Sequence, residues 1–229
     1  MSVAENVEPP LRRLPAKSRR YVVIALLLAA CRSTRIAEGP PLSPLTSTTE
    51  QEAARQLEAR RAQFAGERSL VRLRFPNGMS ARAQLQVDSA LRMLITVYTP
   101  IGTTAARLFT ADGAVIFLND YERTAWRGRA SDLTGVLDTF ASQAAILLAI
   151  GLPPSDNVSL SYSSGGLARA SFADVAVTYE PPSYPPQHVT IVRGDQQMEI
   201  EHLESAGASE TLRAPDIPPN YRCCVAPKL

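Results

Sequence analysis

Hydrophobic and polar residues alternate through most of the middle of the chain. Met79, Ala81, Ala83, Leu85 and Val87 are separated by Ser80, Arg82, Gln84 and Gln86, the cleanest such run. A period of two sends successive side chains to opposite faces of a strand, so this run predicts a strand with one apolar and one wet face. Val71, Leu73 and Phe75 alternate with Arg72 and Arg74 just before it, and Pro76-Asn77-Gly78 between the two runs is a hairpin turn signal. Leu91, Met93, Ile95 and Val97 alternate with Arg92, Leu94, Thr96 and Tyr98. Thr99-Pro100-Ile101-Gly102-Thr103 breaks that run, and Thr104 to Thr110 resumes an extended pattern. Asp112-Gly113 turns the chain into Ala114 to Asn119, and a short strand is expected at Thr124 to Arg127. Further strands are expected at Val158 to Ser163, Leu167 to Phe172, Val175 to Tyr179, His188 to Val192 and Met198 to Leu203.

Two stretches have a different pattern. Glu50 to Phe64 lacks Pro and Gly, places Ala53, Leu57 and Phe64 near helical spacing, and follows Thr49-x-x-Glu52, a capping box. Its apolar stripe is thin, so it needs a larger surface to lie on, and Gly66 is expected to end it. Ser131-Asp132 suits the start of a short helix, and Thr139 to Ile150 is apolar on most sides, as in a buried helix stopped by Gly151 and Pro153-Pro154. The fold class is therefore mainly β. About eleven strands in near-continuous meander order form an incomplete antiparallel β-barrel, closed by the N-terminal helix and a helical insertion. This body spans residues 50–205, and the Pro-rich residues 206–229 read as a C-terminal tail.

Charge changes the reading of the N-terminus. The 229-residue chain carries 24 basic and 22 acidic residues, a net charge of +2. Arg12, Arg13, Lys17, Arg19 and Arg20 face only Glu5 and Glu8 within residues 1–30. The remainder is nearly neutral and has no electrostatic footprint for nucleic acid. After Arg20 comes the apolar run Tyr21 to Ala30, too short for a bilayer span of roughly 20 residues. Basic residues followed by a short apolar run have the layout of a secretory signal. Leu28-Ala29-Ala30-Cys31 resembles the bacterial lipoprotein signal, which implies a signal peptide over 1–30 and lipidation of Cys31. Arg32, rather than Asp, follows the cysteine, and the resemblance then implies the outer membrane. Residues 31–49, with Pro40, Pro41 and Pro44, read as a flexible tether.

Candidate chemistry is sparse. There is no nucleophile elbow, no phosphate-binding loop and no metal-ligand spacing, so no catalytic residue, metal or cofactor is assigned. His188 and His202 fall in expected strands, where an ordinary strand role is the simplest reading. Cys223 and Cys224 are adjacent and could pair with each other or with other chains. Ile101 is the odd residue. An apolar side chain at a turn tip either folds back onto the sheet or points outward to a membrane or partner.

Taken in order, Leu91 to Thr96 running into Thr99-Pro100-Ile101-Gly102-Thr103-Thr104, then Gly113 to Leu118, then Ile146 to Pro153, then Tyr184-Pro185-Pro186 through Ile200, resemble the LolB-like outer-membrane lipoprotein receptors and the wider LolA/LolB-like superfamily. The resemblance covers roughly 50–205. It implies an eleven-stranded open barrel whose apolar interior shelters the acyl chains of lipoproteins, with a membrane-facing loop that delivers them. Pro100, Ile101 and Gly102 match that loop, with Ile101 where the family has leucine and Thr99 where it has asparagine. Val71, Leu73, Phe75, Ala83, Leu85, Met93, Ile95 and Val97 are the expected acyl-binding wall. The implied partners are lipoprotein acyl chains or another lipid, the membrane holding the anchor, and a LolA-like periplasmic carrier, with the protein lipid-anchored in the outer membrane and facing the periplasm. A binding protein for another apolar ligand and a structural envelope lipoprotein are the two competing readings.

Overall fold

The structure is a computed structural model that describes residues 39–133, 142–155 and 157–223. Cys31, the expected signal peptide, Cys224 and the first part of the helical insertion lie outside the described residues. Among the described residues, twelve strands form one sheet: β1 Gly66–Arg74, β2 Ser80–Asp88, β3 Met93–Tyr98, β4 Thr104–Ala111, β5 Ala114–Asn119, β6 Thr124–Arg129, β7 Ser159–Ser163, β8 Gly166–Phe172, β9 Val175–Tyr179, β10 His188–Arg193, β11 Gln196–Gly207 and β12 Arg222–Cys223. Their order across the sheet is β12-β6-β5-β4-β3-β2-β1-β11-β10-β9-β8-β7, and the sheet does not close into a barrel. The chain meanders outward from β1 to β6. It crosses through the helical segment, then meanders inward from β7 until β11 pairs antiparallel with β1. All neighbours are antiparallel except β12 and β6. The expected meander and helical crossing are present, with β12 added at one edge.

Two α-helices are described, α1 Glu50–Ala62 and α2 Gln143–Ala149, together with a single 3-10 turn at Ala130–Asp132. Thr49 caps α1 by accepting the Glu52 amide at 3.2 Å, but the Glu52 carboxylate turns to Gln56 at 3.0 Å instead of completing the box. The helix stops four residues before Gly66, which opens β1 instead. Leu57 and Ala53 are fully buried, and the helix lies on β7 and β8. Ser142 caps α2, whose Ala145 to Ala149 are all buried. A positive φ at Gly151 ends it, with Pro186 packed where a side chain would stand.

The inner face of the sheet and both helices share one core, including Leu57, Val71, Leu85, Ile95, Ile146, Leu148, Tyr179, Val189 and Ile200. The last carbonyls of a helix lack partners within it. Here Tyr179 donates to the Leu148 carbonyl at 2.8 Å, and the His202 ring Nε2 lies 3.0 Å from the Ala149 carbonyl. These two side chains pin α2 to the sheet. Burial drives the His202 pKa down to about 4, so its ring is neutral and serves as a helix clamp. His188 is exposed.

One expectation of the sheet needs correction, and two flanking segments lie against the body. The outer face is not wet throughout: Phe109, Ile116, Leu118 and Ala125 form a second buried cluster beneath Leu212, with Leu94 and Tyr221 at its margin. Val115 to Leu118 is a continuous apolar run, the mark of a strand buried on both faces. Leu212 and Tyr221 supply the cover and tie the C-terminal segment to the body, while most residues between them are exposed. Leu212 donates its amide to Asp88 at 2.9 Å, and Tyr221 donates its hydroxyl to Asp120 at 2.5 Å. Residues 40–47 of the expected tether likewise lie along the body. Pro41 bridges to Ala206, the Gly207 amide donates to the Pro40 carbonyl at 2.8 Å, and Arg60 donates to the Ser43 and Pro44 carbonyls.

Candidate functional site

Alternate strand ends define two ends of the sheet. The β1–β2, β3–β4 and β5–β6 turns share one of them, here called the tip end. A cavity of about 70 Å³ opens on the inner face there. Its wall comprises Val71, Leu73 and Phe75 of β1 and its turn, Leu85 of β2, Ile95 and Val97 of β3, Ala106, Arg107 and Leu108 of β4, Phe117 of β5, and Met198 and Ile200 of β11. The deeper residues Val71, Leu73, Leu85, Ile95 and Leu108 are buried, whereas Phe75, Val97 and Ala106 nearer the tips, and Phe117 across from Leu108, are half-buried. The exposed wall is carbon, with no polar group to hold a water in place.

Six of the eight expected wall residues line this cavity: Val71, Leu73, Phe75, Leu85, Ile95 and Val97. Ala83 and Met93 are fully buried on the same face but lie outside the lining. Met93 pairs with Val87 and Thr110, toward the other end of the sheet. The sequence reading missed Ala106, Leu108 and Phe117, whose alternation was there to be read. It also missed Met198 and Ile200, which reach the wall only because β11 pairs with β1. A volume of about 70 Å³ is far below the ~300 Å³ or more of a site that encloses a drug-sized ligand. The side chains of α1 and α2 occupy much of the remaining inner face.

The β3–β4 tip is closed by its own hydrogen bonds. The Gly102 amide donates to the Thr99 carbonyl at 2.9 Å, closing a turn with Pro100 at its second position. The Thr99 amide donates to the Thr103 carbonyl at 2.8 Å, and the two threonine hydroxyls meet at 2.8 Å. Gly102 has φ +84°, a conformation that L side chains rarely adopt. The third position of this turn faces outward, and Ile101 is 84 % exposed there. Pro100 and Gly102 thus shape the turn, and Ile101 is what it presents.

The remaining titratable groups of the inner face lie away from the cavity wall. Glu67 on β1 is fully buried, accepts only from the Ser69 hydroxyl at 2.7 Å, and has no partner on its other oxygen. Burial pushes its pKa up to about 8. Tyr184 carries Arg60 over its ring at 4.7 Å, and burial pushes its hydroxyl up to about 12. On the outer face, Arg107 holds Asp120 through two bonds of 2.6 and 3.0 Å. Burial favours the neutral acid, but the Arg107 guanidinium and Tyr221 hydroxyl outweigh it and hold Asp120 below the usual carboxylate range. Among the described residues no group of three His, Cys, Asp or Glu side chains could hold a metal.

No protein-family model matches this chain, and no curated protein matches it by sequence. Among solved structures, an uncharacterized conserved protein from Thermus thermophilus overlays with a TM-score of 0.41 and 11 % identity, over 75 % of this chain and 98 % of that one. The LolA superfamily protein NE2245 from Nitrosomonas europaea overlays with a TM-score of 0.43 and 10 % identity, over 72 % of this chain and 96 % of that one.

Proposed function

We propose that this protein is a lipid-anchored receptor that takes an acyl chain into the tip-end cavity and passes it to or from a membrane at Ile101. The observation that carries this reading is the coincidence, at one end of one sheet, of a carbon-walled cavity and an exposed isoleucine on a hydrogen-bonded turn. An acyl chain leaving a bilayer exposes methylenes at about 0.8 kcal/mol each. An apolar wall beside a membrane-seeking tip shortens that exposure. The finer reading follows from the sequence resemblance: Cys31 is lipidated, the membrane is the outer membrane, the cargo is a lipoprotein received from a LolA-like carrier, and no catalytic chemistry is involved. At about 70 Å³ the cavity takes in only part of one chain in the arrangement described, and a whole chain, or three, requires α1 and α2 to part from the sheet.

Chain length constrains the geometry. Gly39 sits beside Gly207, at the end of the sheet away from the tips. At ~3.6 Å per residue, the stretch from Cys31 to Gly39 reaches roughly 29 Å, close to the length of the strand β1. An anchor at Cys31 therefore barely reaches a bilayer that the tips also touch, unless Pro40 and Pro41 come away from β11 and Ser43 and Pro44 from Arg60.

Three measurements test the reading. Mass spectrometry of the organic extract from a secreted Cys31→Ala form identifies the cargo. Triacylated lipoprotein peptides support the receptor, another lipid moves the function to a general lipid carrier, and an extract without lipid overturns both. Ile101→Glu leaves the melting temperature within about 2 °C, because surface changes are worth under about 0.5 kcal/mol. It lowers vesicle binding by about tenfold or more, and a large loss of stability instead would show that Ile101 is a packing residue. Ala106→Leu fills the cavity and lowers uptake of a fluorescent fatty acid about tenfold without loss of stability. Unchanged uptake would place the ligand elsewhere.

A further inference from the structure

Ile101 is not alone at the tip end. The large apolar residues most exposed among the described residues are Tyr121 at 85 %, Ile101 at 84 % and Met79 at 55 %. Met79 ends the β1–β2 turn, Ile101 crowns the β3–β4 turn and Tyr121 lies in the β5–β6 turn. These are alternate turns of one antiparallel meander, so all three leave the sheet at the same end. Adjacent strands are about 4.8 Å apart, which places successive tips roughly 10 Å from one another.

Each tip is held by its own bonds. The Phe75 amide donates to the Met79 carbonyl at 2.9 Å, and the Met79 amide donates to the Asn77 side chain at 3.0 Å. The Asp120 and Tyr121 amides both donate to the Ala105 carbonyl, tying the third tip to the second hairpin. Around these three turns Arg74, Arg82, Arg123 and Arg222 are exposed against Glu122, while the exposed acids Asp174 and Asp195 sit in the β8–β9 and β10–β11 turns farther across the same end. The Arg222 amide donates to the Arg123 carbonyl at 2.9 Å, which fixes these two backbones together beside Tyr121.

We infer that Met79, Ile101 and Tyr121 form a three-point platform that docks the cavity mouth onto a lipid surface bearing anionic headgroups. The inference rests on the reading of Ile101 as a membrane-facing tip and names the rest of the surface that meets the membrane. A protein partner would call for a continuous complementary face of roughly 1,000 Å² or more, counting both sides. Three separated side chains offer no such face, but a fluid bilayer surface accepts each of them independently. A tyrosine suits the interface because its ring enters the acyl boundary while its hydroxyl stays at headgroup level. The arginines supply the charge complement to anionic lipid. Three points also fix an orientation, which one residue cannot, and so hold the cavity mouth against the bilayer.

The test uses the mature chain from residue 31 with Cys31→Ala, without the expected signal peptide, in flotation with phosphatidylethanolamine vesicles with or without phosphatidylglycerol. Binding is expected to rise with phosphatidylglycerol and to fall with added salt. Met79→Ser and Tyr121→Ser are each expected to weaken it about tenfold. Met79→Leu and Tyr121→Trp keep the binding, and the indole introduced by the second change is expected to shift its emission to the blue and be quenched by brominated lipid. If Ile101→Glu abolishes binding while Met79→Ser and Tyr121→Ser leave it unchanged, the three-point platform is wrong and the single-tip reading stands. If all three changes leave binding unchanged, both are wrong.

Discussion

Replacing Asp88 with alanine is expected to destabilise the body by about 3–5 kcal/mol and to release residues 208–221 from the sheet. Asp88 ends β2 and is 2 % exposed. One carboxylate oxygen accepts the Ala90 and Arg92 amides, both at 3.0 Å, and shapes the β2–β3 turn. The other accepts the Arg92 side chain at 2.7 Å and the Leu212 amide at 2.9 Å. A single side chain thus closes a hairpin and staples the C-terminal segment over the outer cluster. Burial favours the neutral acid, but the Arg92 guanidinium and the amides of Leu212 and Arg92 outweigh it and hold its pKa below the usual value of 3.8. Alanine leaves these amides without an acceptor, and the cost of unsatisfied buried groups dominates. For a domain of this size the melting temperature should fall by roughly 10 °C. Limited proteolysis should cut first between Leu212 and Tyr221. The depressed pKa means that this stabilisation is present above about pH 4 and is lost as the pH falls through the lower folded value. The difference between wild type and variant therefore narrows in acid. A variant as stable as wild type, with the segment still protected, would refute this account.

Glu67→Gln is expected to act in the opposite direction. With a folded pKa of about 8 against 4.5 for the exposed acid, the folded chain keeps a proton that the unfolded chain has released. The stability tied to this group is full below about pH 4.5, falls as the pH rises, and is lost by about pH 8. His202 runs the other way. Its pKa falls from 6.5 to about 4, so its contribution is present above 6.5 and is lost as the pH falls through 4. The two slopes largely cancel between pH 4.5 and 6.5, which leaves Glu67 to weaken the fold between 6.5 and 8. Glutamine keeps the shape and can accept from Ser69 without the ionisation. It should raise stability by about 4 kcal/mol at about pH 8, change little at about pH 4, and flatten the decline above about pH 6.5. Denaturant melts across this range would show it, and an unaltered slope would place the titration elsewhere.

The sequence by itself determined the local pieces. Period-two alternation assigned Val71, Leu73, Leu85, Ile95 and Val97 to one face, because a strand cannot place neighbouring side chains on the same side. Pro76-Asn77-Gly78 and Pro100 with Gly102 marked two of the three tips, because those residue types suit the backbone angles of tight turns. The same pattern misplaced Leu91, which has φ 57° and belongs to the turn held by Asp88 instead of to β3. What the strand pattern left open was settled by partners distant in the chain. Val71 meets His202 and Leu73 meets Ile200 across the β1–β11 seam. That seam brings Ile200 and Met198 to the cavity and sets His202 against α2. Leu212 reaches Asp88 and Tyr221 reaches Asp120, turning a Pro-rich segment into the cover of a second core. Hairpin pairing follows from neighbouring residues. Joining strands separated by more than a hundred residues depends on which surfaces remain to be buried after the hairpins have formed. The size of the cavity belongs to that second kind of decision. Alternation marks an apolar face, but only the packing of α1 and α2 against it determines how much of that face is left for a ligand.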